Sequence, residues 1–118
     1  MDDCVFCKIM RGEISEERIY TGRDFFSIYD HAPRTEGHAL VISKKHFKNI
    51  LDVPNNLNSD FLNVIKNTAE ILMKKFNSEG FNIIINTSGA AGQVVPHVHA
   101  HILPRKNGDG FRIFVDKP

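Results

Sequence analysis

The chain has 118 residues, with 15 Lys and Arg against 14 Asp and Glu, a formal charge of +1. That length gives one domain, residues 1–118, around one core. The even charge balance excludes a dedicated nucleic-acid surface, which would be basic along a face. No apolar run approaches the roughly 18 residues of a membrane helix, so no membrane partner is expected. The opening Met1-Asp2-Asp3-Cys4 is acidic and has no signal-peptide core, which predicts a cytoplasmic protein.

In chain order, residues 4–11 predict a short helix that Gly12 ends. Arg18 to Thr21 reads as a strand, followed by a turn at Gly22-Arg23-Asp24. The aromatic-rich run Phe25-Phe26-Ser27-Ile28-Tyr29 suits a second strand. Two breakers make 32–37 a loop. Gly37 to Ser43 predicts a third strand, with His38, Leu40 and Ile42 on one face and Ala39 and Val41 on the other. The longest helix follows. Asn58 or Ser59 is a candidate cap and Gly80 a candidate left-handed stop. Phe61, Ile65, Ala69, Leu72 and Phe76 recur at helical spacing and define a core-facing stripe. Phe81 to Asn86 predicts a fourth strand, Ser88 to Gln93 a small-residue loop, and His97 to Leu103 a fifth strand stopped by Pro104. The apolar stretch Phe111 to Val115 has no derivable place. The order predicts one α+β domain with an antiparallel sheet and one main helix.

Two cysteines and six histidines stand out from this ordinary composition. Cys4-Val5-Phe6-Cys7 is a C-x-x-C pair. It has three readings: two reduced thiols, a redox pair, or half of a zinc site completed by distant histidines. No strand precedes it, which disfavours the redox reading.

The segment His97-Val98-His99-Ala100-His101 puts three imidazoles on one face of a strand, with Val98, Ala100 and Ile102 on the other. Each buried imidazole needs a hydrogen-bond partner, so the row is costly as core filling. Same-face positions lie about 6.6–6.8 Å apart, too far for all three to bind one zinc comfortably. Nucleophilic or acid–base catalysis is the remaining chemistry. Gly89, Ala90, Ala91 and Gly92, just upstream, offer backbone amides to an anion, which favours a phosphate as substrate.

His97-Val98-His99-Ala100-His101-Ile102-Leu103 resembles the His-φ-His-φ-His-φ-φ signature of the histidine triad superfamily. The likeness extends over Cys4 to Ile9, Tyr29-Asp30, Gly37 to His46, Asn86, and Gly92 through Arg105. It is greatest to small bacterial members near the Hint branch. Pro104-Arg105 and Gly108-Asp109-Gly110 are also similar to Fhit-like dinucleotide hydrolases. The resemblance implies a homodimer whose sheets join, and cleavage or transfer at the α-phosphate of purine nucleotides such as nucleoside phosphoramidates. The alternatives are dinucleoside polyphosphate hydrolysis, or a nucleotide-binding or zinc-stabilised interaction protein with little turnover. By position it makes His99 the nucleophile that carries a nucleotidyl intermediate. His101 and His38 become phosphate donors. Asn86, Gly92, Gln93 and Val94 fall near the phosphate, and Asp30 at the ribose. Val5, Phe6, Ile9, Ile28 and His31 fall around the base. It also implies a structural zinc on Cys4, Cys7, His46 and His97, withdrawing His97 from catalysis. One position departs: Hint-like enzymes often carry a serine after Gly-Gln that contacts the leaving group, and this chain has Val94.

Overall fold

The computed structural model describes residues 3–113. Five strands form one antiparallel sheet: β1 (Arg18–Thr21), β2 (Phe25–Tyr29), β3 (Ala39–Ser43), β4 (Gly80–Ile84) and β5 (His99–Arg105), in the order β1-β2-β3-β5-β4. A short helix α1 (Val5–Met10) lies on one face and the long helix α2 (Asn58–Lys75) on the other. The α+β class, the strand number and the two helices are as the sequence predicts. Phe114 to Val115, the end of the unplaced apolar stretch, lie outside the described residues.

Strand alternation sorts the side chains between two layers. Phe25, Val41, Ala100 and Ile102 pack with Val64, Ile65, Ala69 and Leu72 of α2 in the main core. Phe26, Ile28, Leu40 and Ile42 face the other way and pack with Phe6 and Ile9 of α1. One polar pair crosses the main core: the hydroxyls of Ser27 and Thr68, both fully buried, are hydrogen-bonded at 2.7 Å. The start of α2 is tied to the β1–β2 turn by the Asp60 carboxylate, which accepts the Asp24 amide at 2.8 Å.

Four local expectations are corrected. Neither Asn58 nor Ser59 caps α2 with its side chain. The helix grows out of a single 3-10 turn, Asn55–Leu57, whose geometry already aligns the first helical residues. The left-handed residue after α2 is Asn77, at φ 52°, not Gly80, which opens β4. The fourth strand ends at Ile84 rather than Asn86. Pro104 does not stop β5, which runs on to Arg105 opposite Gly80. Proline lacks an N–H, so its place in a ladder depends on which groups face the neighbour.

The loop before β3 is held by Gly37. Its φ is +84°, and a Cβ there would stand 2.5 Å from the Phe76 ring. Gly37→Ala combines backbone strain with a steric clash, and is expected to destabilise the protein by about 1–3 kcal/mol. Urea unfolding of the two proteins measures this; equal midpoints would contradict it.

Candidate functional site

The α1 face of the sheet carries the histidines. His99 sits opposite Ile42 and His101 opposite Leu40 in the β3–β5 register. His97 precedes β5 but keeps to the same side, and the Phe6 ring meets both the His97 and His99 rings edge-on. His38 enters from the residue before β3. The Asp30 amide donates to the His38 carbonyl at 2.9 Å, which fixes both at the end of the β2–β3 pair.

The hydrogen bonds decide where each proton sits. His99 Nδ1 lies 2.8 Å from the His97 carbonyl, which can only accept. Nδ1 is therefore the protonated nitrogen, and Nε2 keeps its lone pair. The Arg34 amide donates to His38 Nδ1 at 3.1 Å, so neutral His38 carries its proton on Nε2. That nitrogen faces His101 Nδ1 at 3.0 Å, with an Asp30 oxygen 3.5 Å from it. His101 Nδ1 is then an acceptor, and its proton moves to Nε2. The wiring leaves one nucleophilic nitrogen, on His99, and one N–H donor, on His101, with the two rings 5.1 Å apart between centroids. Burial keeps the charged forms out: it pushes His101 down to about 4, helped by the neighbouring His99 and His38, and also lowers His38.

These groups open into a cleft of about 640 Å³. Val5, Phe6, Ile9 and Ile28 form its apolar walls, with Asp30, Asn86, His99 and His101 at the polar end. His31, Gly92 and Val94 also line it, although the Val94 side chain is 89% exposed. Three expectations change here. His38 lines the cleft but is almost fully buried with both ring nitrogens engaged, so its N–H positions His101. Gln93 is turned into its loop: Oε1 accepts the Ser88 amide, and Nε2 donates to the carbonyls of Lys48 and Val95. The small-residue loop offers fewer amides to an anion than its four residues suggest. Its Ala91, Gly92 and Gln93 amides are spent on the carbonyls of Ser88, Gly89 and Ser88.

The structure adds residues that the sequence reading passed over. Ile14, Glu16, Arg34, Val95, Leu103 and Phe111 line the cleft. Phe111 arrives because Arg105 grips the tail: its guanidinium donates to Asp109 at 2.7 and 2.8 Å, to Asn82 at 2.8 Å and to the Phe111 carbonyl.

The cysteines meet the remaining histidines beside this site. Cys4 Sγ is 3.3 Å from His97 Nδ1, and Cys7 Sγ is 3.2 Å from His46 Nδ1 and 3.6 Å from His97 Nδ1. The two Nδ1 atoms are 3.2 Å apart. Four such ligands around zinc, at about 2.3 Å to sulfur and about 2.0–2.1 Å to nitrogen, span tetrahedral edges of about 3.6 Å (S···N) and about 3.3 Å (N···N). The donor set therefore fits a zinc ion. His97 Nε2 lies 2.8 Å from the Ser43 carbonyl, which places its proton there and turns the Nδ1 lone pair toward the cluster.

Residues 11–108 match the HIT domain. An uncharacterised HIT-like protein of Methanocaldococcus jannaschii is 42% identical over 107 residues, covering 91% of this chain and 82% of its own. An adenosine 5'-monophosphoramidase of Candida albicans is 36% identical, covering 88% and 71%. The crystal structure of a Streptococcus mutans protein superposes with a TM-score of 0.91 at 38% identity, covering all of this chain and 76% of that one. The chain belongs to the HIT family.

If the Cys and His cluster holds zinc, purified protein is expected to contain about one zinc per chain, and chelation should lower its Tm. Cys4→Ser should lose most of the metal. Metal-free protein with an unchanged Tm after chelation would contradict the assignment.

Proposed function

We propose that this protein cleaves purine nucleotide derivatives at the α-phosphate, with nucleoside 5'-phosphoramidates as the substrate class, through a covalent nucleotidyl intermediate on His99. The observation that carries this reading is the pair of complementary nitrogens facing one cleft: an acceptor on His99 Nε2 and a donor on His101 Nε2. Neutral imidazole is a competent nucleophile near neutral pH.

In the first step His99 Nε2 attacks the α-phosphorus. The P–Nε2 bond forms as the P–N bond to the leaving amine breaks, and the departing nitrogen takes a proton from solvent. Water then attacks the same phosphorus and returns a proton to solvent, the P–Nε2 bond breaks, and the nucleoside monophosphate departs with His99 restored. His101 donates from Nε2 to a phosphate oxygen whose charge must be held through both steps. His38 keeps His101 in the donating tautomer, and Asp30, whose Oδ1 accepts the Ala32 amide at 2.9 Å, retains further acceptor positions for the ribose hydroxyls. The apolar walls suit the faces of a base. The name of the Candida albicans relative, an adenosine 5'-monophosphoramidase, supports the substrate class.

Zinc on Cys4, Cys7, His46 and His97 would act as a structural staple, since four protein ligands leave no open position for substrate. It would anchor the residue whose carbonyl accepts the His99 Nδ1 hydrogen bond. We also place the homodimer interface at β4. That strand is an edge of the sheet, and Phe81 and Ile83 on it and Ile71 on α2 remain partly exposed.

His99→Ala is expected to lower kcat on adenosine and guanosine phosphoramidates by several orders of magnitude while mononucleotide binding survives. Wild-type protein quenched during turnover should carry a nucleotidyl group on His99 by mass spectrometry. Equal turnover by the two proteins would overturn the nucleophile. Binding without turnover in both would leave the nucleotide-binding reading. Faster turnover of dinucleoside polyphosphates than of phosphoramidates would shift the substrate class.

A further inference from the structure

Besides Asp30, the cleft contains one other carboxylate among the described residues, that of Glu16. Glu16 lies in the segment between α1 and β1, and its side chain is only 15% exposed. It pairs with His31 Nε2 across the cleft rim, and His31 is itself 77% exposed. The hydrogen bond that the Glu16 carboxylate makes goes to His31, and Ile14, two residues before it, lines the same cleft. An acidic group is a poor neighbour for the phosphate, and a cleft that needed only apolar stacking would not keep it there.

We propose that the Glu16 carboxylate reads the hydrogen-bonding edge of the base and makes the site prefer guanine. This rests on the nucleotide reading above. An ionised carboxylate accepts only, and has about four acceptor positions, so pairing with His31 leaves room for further donors. Guanine presents two adjacent donors, N1–H and the 2-amino group, which match the two oxygens side by side. Adenine presents an acceptor at N1 and a C–H at position 2, so a carboxylate meets a lone pair there. Hypoxanthine keeps N1–H but lacks the 2-amino group. Xanthine keeps N1–H and puts a carbonyl oxygen where guanine has a donor. His31 holds one carboxylate oxygen and so sets the angle of the other.

Calorimetric binding of the four nucleoside 5'-monophosphates to wild-type protein separates these cases, because they differ only at the base edge. GMP is expected to bind roughly tenfold more tightly than AMP, with IMP between them and XMP weaker than IMP. Glu16→Gln turns one acceptor into a donor, and should bring GMP and AMP within about twofold or favour AMP. Glu16→Ala should remove the preference. Equal wild-type affinity for GMP and AMP, or a GMP preference that survives both substitutions, overturns base reading and leaves the nucleotide site standing. Failure of all four nucleotides to bind overturns the nucleotide reading and this inference with it.

Discussion

Every buried imidazole in this protein has to find a partner, and the way that requirement is met organises the site. An unpaired polar group in the interior costs about 1–3 kcal/mol, so three alternating histidines on one strand face demand a defined network. His97 gives its Nε2 proton to the Ser43 carbonyl, His99 gives its Nδ1 proton to the His97 carbonyl, and His101 accepts from His38. Each bond fixes a tautomer, and each tautomer leaves the other nitrogen a single role. His97 presents a lone pair to the cysteines, His99 a lone pair to the cleft, and His101 a proton to the cleft. One short segment thereby supplies a metal-ligand candidate, a nucleophile and a donor.

The sheet lets these roles stand close together without competing. Its α2 face is filled with aliphatic and phenylalanine side chains, and among the described residues none of the buried members of this main cluster is titratable. The thinner α1 face leaves the cleft and the Cys and His cluster side by side, separated by the Phe6 ring, which touches both His97 and His99. The short helix therefore does two jobs: it carries Cys7 on one side of Phe6 and the apolar wall of the cleft on the other.

Much of this was legible in the sequence because it depends on period. Two-residue alternation put His38, Leu40 and Ile42 on one face and Val98, Ala100 and Ile102 on the other. Helical spacing marked the core side of α2, with Phe61, Ile65, Ala69 and Leu72 buried in it. What was not legible depends on where a flexible side chain or loop amide turns. Gln93 braces its own loop, and the Ala91 and Gly92 amides close a 3-10 turn, because those bonds satisfy local backbone groups first. His38 reads in sequence as another phosphate donor; only the Arg34 amide on its Nδ1 shows that it stands behind His101. Glu16 gave no signal, since a glutamate between α1 and β1 has the sequence of an ordinary solvated residue.

Hydrogen bonds hold His99 with a bare Nε2 and His101 with a protonated one. Long-range 1H–15N correlation of the imidazole rings at neutral pH observes this without substrate. His99 is expected as the Nδ1–H tautomer and both His38 and His101 as Nε2–H tautomers. Finding His99 protonated at Nε2, or His101 protonated at Nδ1, would contradict it.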